Sequence, residues 1–315
     1  MSSLLLRPAP SPLADRAVAV VDGRLAGARV ALLVTGGIAA MKAPLLAREL
    51  RRSGATVVAF LSDEALRYVG EDALAWACTA PVVRTLSPQA EHLGDEAPFD
   101  AYLVAPATYN TLGKMAGGIA DTPITATLAA ALGRLERGEA AVLVAPTMNG
   151  RMHTAILDDN LARLRALGVT VIPSKAADGK HLLPDLPVLV AAVARSLARG
   201  PLVGQEVVLH GEGALPGVGG ALGPALRPRA LDFGHRLALS VWCAGAALRF
   251  VQDAALPPPP LPVEPTPAAP GDPPPLHLRV GSAPAEALEP LLAAKGPAAA
   301  LDALGQRYGF APAPK

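Results

Sequence analysis

Aromatic side chains are scarce in this sequence, at 3% of 315 residues, and charged residues make up only 17%. The formal net charge is +1, too small a field to attract a nucleic acid backbone or an anionic membrane surface, so neither is expected as a partner. Cysteine is limited to Cys78 and Cys243. Their separation excludes a disulfide framework or a thiolate cluster and points to a reducing compartment, so both are expected as core thiols of a cytoplasmic protein. The lone His210, His235 and His277 have no metal-ligand spacing, and no metal is expected. No uncharged apolar run of about twenty residues escapes proline or glycine, as a membrane span would need, and Leu4–Leu6 is too short for the core of a signal peptide.

Hydrophobic residues, by contrast, reach 51% and are distributed in two patterns. From 28 to 198, short apolar runs alternate with helical patterns, the signature of a parallel sheet covered by helices. Strands are expected at Val30–Val34, Val57–Leu61, Ala101–Val104, Ala141–Ala145 and Val169–Ile172, each rich in Val, Leu or Ile as strands buried on both faces should be. Helices are expected at Ile38–Arg52, Asp63–Val69, Asp72–Cys78, Thr108–Ala116, Ile124–Leu135, Thr154–Leu167 and Pro187–Leu197. Pro44 sits awkwardly in the first of these, tolerable only because it falls within the opening turns. Residues 1–27 read as a leader. Residues 199–256 form a divergent α/β segment, with a strand and turn at Gly204–Gly213 and a helix at Leu237–Val251. Eleven of the nineteen residues from Pro257 to Pro275 are proline, so 257–275 is a polyproline-like linker rather than a helix or central strand. Residues 276–315 make a small C-terminal segment with a strand at Leu276–Val280 and helices near Pro284–Ala294 and Pro297–Arg307.

Open parallel sheets bind ligands outside the carboxyl ends of their strands, so the residues following each strand carry the functional information. After the first strand come Thr35, Gly36, Gly37, Ile38 and Ala39, where a strand enters paired glycines and then a helix. The first N–H groups of such a helix lack internal partners and its dipole favours negative charge, so a phosphate-bearing ligand is expected. After the second comes Ser62, equally suited to cap a helix or touch a ligand. The third leads into APATYNTLGKMAGGIAD, Ala105 to Asp121, with Thr108, Asn110 and Thr111 clustered at a helix start. The fourth leads into APTMNGRM, Ala145 to Met152, which puts Asn149 in the next turn.

The segments GGIAAMKAP, PATYNT, GGIAD and PTMNGRM, in this order and spacing, resemble the homo-oligomeric flavin-containing cysteine decarboxylases, above all the phosphopantothenoylcysteine decarboxylase half of the coenzyme A biosynthesis flavoprotein. The resemblance covers about residues 26 to 197. It implies a flavodoxin-like doubly wound parallel sheet, FMN as the cofactor at a subunit boundary, and a homotrimer or a dodecamer built of trimers. By the same resemblance Gly36, Gly37, Ile38, Ala39, Ser62, Ala105, Pro106, Ala107, Thr108, Asn110, Thr111 and Asp121 match cofactor-binding positions. His92, eight residues before Asp100, matches the family's catalytic histidine. Asn149 matches the residue that holds the substrate carboxylate, and Met148 and Lys180 join it as substrate-binding positions.

These roles make chemical sense. A simple cysteinyl residue offers no sink for the electrons left by departing carbon dioxide; oxidation of the thiol to a thioaldehyde by FMN creates one β to the carboxylate. A histidine, which changes charge near neutral pH, suits removal of the thiol proton, and Asn149 can orient the carboxylate without an ion pair that would oppose charge loss. The expected substrate is a small cysteinyl compound, phosphopantothenoylcysteine first. The resemblance breaks down at SKAADGKHLLPD, Ser174 to Asp185, where relatives carry a loop cysteine that helps return the ene-thiol to a saturated thiol. An FMN-binding partner or regulatory protein without turnover therefore stands as the alternative, and a flavin prenyltransferase-like enzyme is disfavoured by GGIAA and PTMN. His153 stands where relatives often carry tryptophan and receives no role; His181 is expected to be solvated. The region after 199 resembles at most a decayed synthetase, without ligase activity.

Overall fold

The computed structural model describes residues 11–21, 23–93 and 97–199, together with three strands at 206–211, 247–252 and 276–280. Its main sheet has five parallel strands, β1 (Arg29–Val34), β2 (Thr56–Leu61), β3 (Ala101–Ala107), β4 (Ala141–Pro146) and β6 (Thr170–Val171), in the order β2-β1-β3-β4-β6. A two-residue strand, β5 (Met148–Asn149), intervenes in sequence but belongs elsewhere. The flavodoxin-like doubly wound expectation holds, and every boundary of the five expected strands falls within three residues of the observed one.

Because successive side chains of a strand point to opposite faces, the apolar runs feed two cores. Val30, Leu32 and Val34 of β1 join one cluster; Ala31 and Leu33 join the other. Helices α1 (Ala43–Arg52), α2 (Glu71–Cys78) and α6 (Leu186–Ser196) cover the first face, and α3 (Tyr109–Gly117), α4 (Pro123–Glu136) and α5 (Ala155–Ala166) the second. Leu46 and Leu50 of α1 are fully buried, so truncating either to alanine would cost about 2–5 kcal/mol.

The expected Ile38–Arg52 helix is two pieces: a 3-10 turn, Ile38–Lys42, and then α1. The break explains Pro44, which stands in the first turn of α1, where a missing N–H costs nothing. The expected Asp63–Val69 helix is reduced to a 3-10 turn at Ala65–Arg67, and Gly70 then opens α2. α4 starts on a capping box, Thr122 and Thr125 bonding each other's backbone N–H, with Pro123 at its first position.

Three further strands, β9 (Glu206–Gly211), β10 (Ala247–Gln252) and β11 (Leu276–Val280), form a separate parallel sheet in the order β10-β9-β11. This corrects the helix expected at Leu237–Val251: its last residues, 247–251, are strand, and 237–246 lie outside the described residues. The ALRFVQ run is six residues long, and short apolar runs do not distinguish a strand from a helix. The Pro257–Pro275 linker, the helices near 284–294 and 297–307, and Cys243 also lie outside the described residues. Cys78 is a core thiol, pushed up to about 11 by burial, with Arg51 opposing the shift.

Candidate functional site at the carboxyl edge of the sheet

In this strand order the chain moves outward in opposite directions from β1 and β3, so the crevice between their carboxyl ends is the topological switch point. Thr35, only 3% exposed, closes it from beneath. Its hydroxyl donates to Pro106 O at 2.7 Å and stands 3.3 Å from the Thr108 N–H and 3.4 Å from Thr108 Oγ1. Thr108 in turn caps α3 through the Thr111 N–H and lies 3.0 Å from the Thr111 hydroxyl. The first and third strand ends are thus pinned by hydroxyls rather than by ladder bonds alone. Ala105, Pro106 and Ala107 are buried in β3, leaving Thr108 half-buried and Asn110 exposed at the rim.

The two glycines after β1 have different reasons to be glycine. A Cβ on Gly36 would stand 2.3 Å from Glu64 Cβ, so only glycine lets this turn pass the loop after β2. A Cβ on Gly37 would keep 3.6 Å from Thr108 Cγ2, an ordinary contact across the crevice. The 3-10 turn beginning at Ile38 has no side-chain cap, and within it the Ala40 N–H bonds Gly37 O at 2.8 Å. Ser62 is occupied in part: its side chain accepts from the Ala65 N–H at 3.2 Å. Ile38, Met41 and Leu45, at helical spacing, are 67%, 57% and 58% exposed.

A second part of the rim lies beyond β4. Here β5 pairs antiparallel with β8 (Lys180–Leu182), which hairpins with β7 (Lys175–Ala177), in the order β5-β8-β7. Asn149 is registered opposite Lys180, and Met148 opposite His181. Two of the expected substrate residues are therefore direct cross-strand neighbours. Met148 packs against the core on the α3–α5 face, so its part is to anchor the turn. The Asn149 side-chain oxygen accepts from the Arg151 N–H at 2.9 Å, which leaves the amide nitrogen as the free, donating end. A Cβ on Gly150 would meet Gly179 O at 2.3 Å, so this glycine lets the two turns touch.

The hairpin was not expected from the sequence, although its signal is present. Asp178 and Gly179 have φ of 51° and 66°, as the two central residues of a tight hairpin turn require, and Asp-Gly is a preferred pair for that turn. His153 and His181, given no role from the sequence, are bonded to each other, 2.9 Å from Nδ1 to Nε2.

His92 lies in the turn that follows the segment paired beside β2, next to Glu91, whose carboxylate is held low by hydrogen bonds from Ser87. Its Nδ1 is buried without a hydrogen-bond partner. Among the described residues no hydrogen bond joins His92 to Asn149 or Lys180. Asp121 is exposed and engaged, 2.7 Å from Lys114 Nζ, whose hydrogen bond holds the carboxyl below its ordinary value. A cleft of about 710 Å³ runs along the β2 edge, lined by Arg29, Val58, Glu71, Arg84 and Glu91; there Arg84 holds Asp63 and Glu71. No cluster of metal-binding side chains exists among the described residues, and no described helix is long and apolar enough to cross a membrane.

The sequence model of the Flavoprotein family matches residues 20–198, the whole of this sheet and its helices. The chain belongs to the Flavoprotein family. It is 34% identical over 191 residues to the coenzyme A biosynthesis bifunctional protein CoaBC of Thermococcus kodakarensis, an alignment covering 59% of this chain and 46% of that one. It is 29% identical over 181 residues to a probable phosphopantothenoylcysteine decarboxylase of Streptococcus mutans, covering 54% of this chain and 98% of that one. This member of the Flavoprotein family thus spans less than half the length of the Thermococcus relative. The crystal structure of an FMN-dependent cysteine decarboxylase, SpaF, aligns with a TM-score of 0.48 at 26% identity, over 55% of this chain and 99% of that one.

Proposed function

We propose that this chain is an FMN-dependent decarboxylase of a cysteinyl compound, with phosphopantothenoylcysteine the expected substrate. The observation that carries the reading is Asn149: its oxygen is tied to the Arg151 N–H, so its amide nitrogen points outward as a neutral donor beside Lys180. Such a donor orients a carboxylate without the full ion pairing that would resist its loss as carbon dioxide.

The residues of the crevice suit FMN. An entry with no side-chain cap, small residues at Gly37 and Ala39 that leave room for close approach, and the Thr108 and Asn110 side chains as hydrogen-bonding groups suit a phosphate. Gly36, Gly37, Ile38, Ala39, Ser62, Ala105, Pro106, Ala107, Thr108, Asn110, Thr111 and Asp121 are assigned to holding it. The bound flavin supplies the two-electron oxidation that makes the substrate carbon an electron sink. His92 removes the thiol proton, its Nδ1 buried and without a hydrogen-bond partner among the described residues. Asn149 holds the carboxylate, and Lys180, registered opposite it, is assigned to substrate binding. The exposed Ile38, Met41 and Leu45 stripe supports a homotrimer, or a dodecamer of trimers, in which His92 and Asn149 meet across chains.

The hairpin at 174–185 has no cysteine, which favours as a second reading an FMN-binding protein without turnover. The decisive experiment is the visible spectrum of freshly purified protein followed by incubation with phosphopantothenoylcysteine. Flavin bands and released carbon dioxide are the expected result; flavin without carbon dioxide supports the second reading, and a colourless protein that takes up no FMN overturns both.

A further inference from the structure

Four side chains from three segments make one unbroken hydrogen-bonded chain behind the Asn149–Lys180 pair. Asp158 of α5 lies 2.8 Å from His153 Nε2, His153 Nδ1 lies 2.9 Å from His181 Nε2, and His181 Nδ1 lies 2.9 Å from Ser174 Oγ. The two rings are 4.9 Å apart and tilted by 39°. His181 sits on β8 next to Lys180, and His153 closes the turn that begins with Asn149.

The proton count sets a direction. With Asp158 ionised, His153 donates from Nε2, so a neutral His153 accepts at Nδ1; His181 then donates from Nε2 and accepts the Ser174 hydroxyl proton at Nδ1. Every polar atom in the chain is matched with two neutral rings. One added proton is also accommodated, because His181 can donate from Nδ1 to Ser174 Oγ and keep its Nε2 proton toward His153. A second cannot be, since two N–H groups would face each other across the ring contact.

We propose that His153 and His181 are positioning residues: their shared proton latches the β7–β8 hairpin onto the turn of Asn149 and so sets Lys180 and Asn149 side by side, and double protonation releases it. The hairpin's other ties are few among the described residues: its flanks Ile172 and Leu183 are anchored in the core. β5 contributes two residue pairs, and the Gly150 N–H bonds Gly179 O. The charged groups on the elements packed around the latch are Asp158 and Asp159 of α5, Arg151 in the turn, and Lys180, Asp178 and Lys175 of the hairpin, Lys175 being held by Asp185. From α3, Tyr109 reaches the same loop through Thr154, 3.1 Å away.

Only what Lys180 and Asn149 would hold depends on the decarboxylase reading; the latch is measurable on the full-length protein alone. Hydrogen exchange, corrected for intrinsic rates, should show the amides of 175–182 protected at neutral pH, and His153→Ala or His181→Ala should speed them roughly fivefold to tenfold, the equivalent of one lost hydrogen bond. Peptides from β3 serve as the control for folding. On acidification from about pH 8 to about pH 4 the wild type should converge on the rate of the alanine variants, while those variants show no such step. Asp158→Asn should keep the latch at neutral pH, because the amide oxygen still accepts from His153 Nε2. Unchanged exchange in both alanine variants, or a wild-type hairpin indifferent to acid, overturns the proposal. If phosphopantothenoylcysteine is turned over, His153→Ala should raise KM more than it lowers kcat; an inactive wild type would count against the decarboxylase reading and leave the exchange result standing.

Discussion

The two halves of the rim are built in different ways. Between β1 and β3 the geometry comes from buried hydroxyls and backbone, with Thr35, Thr108 and Thr111 tied within consecutive turns of the strand ends. Beyond β4 it comes from partly exposed polar side chains, His153, His181, Asp158 and Ser174, stitching segments far apart in sequence. The first arrangement is rigid and insensitive to pH; the second depends on how many protons two imidazoles carry. A site meant to keep a cofactor and exchange a substrate would divide its stiffness in this way.

Breaking the first half should have the larger effects. Gly36→Val would force a side chain into Glu64 Cβ, and the expected result is loss of bound flavin with destabilisation of about 1–3 kcal/mol, read from the visible spectrum and the Tm. Gly37→Asp has room for its Cβ, so it should keep the Tm and lose the flavin through charge; a coloured variant would remove the phosphate assignment. Thr35→Val should cost about 1–3 kcal/mol by leaving Pro106 O without its donor, measured by urea unfolding.

Outside both halves, His92→Asn should leave the colour intact and abolish turnover, whereas loss of flavin from it would show that His92 supports the cofactor instead. The smallest effect is expected at the exposed Lys114–Asp121 pair. The Asp121 carboxyl is depressed, so its contribution is present at neutral pH and is lost as pH falls through and below the ordinary carboxylate range. Asp121→Asn should abolish that pH-dependent increment with little change in Tm at neutral pH.

The comparison also separates what sequence reading reaches from what it misses. The half between β1 and β3 is readable because its parts are contiguous: strand, paired glycines and helix at 30–50, and strand, hydroxyl cap and helix at 101–117. Periodicity and capping chemistry operate over a few residues, so β1, β3 and the Thr108 cap follow from local pattern. The half beyond β4 is different. Asn149 is visible in its motif, but its pairing with Lys180 rests on a hairpin of three-residue strands, too short for any periodic signal, and only Asp178–Gly179 advertises it. His153 and His181 are 28 residues apart, and isolated histidines carry no sequence mark of each other.

What the sequence determined alone was the alternation of buried strands and amphipathic helices, and with it a doubly wound sheet whose carboxyl edge gathers polar turns. That follows from the hydrophobic effect acting on local periodicity, which needs no knowledge of distant partners. What tertiary structure decided was which turns meet: Gly36 against Glu64, Thr35 against Pro106, Gly150 against Gly179 and His153 against His181. Those are contacts of shape and proton count between segments remote in the chain, and they exist only once the strands have taken their order.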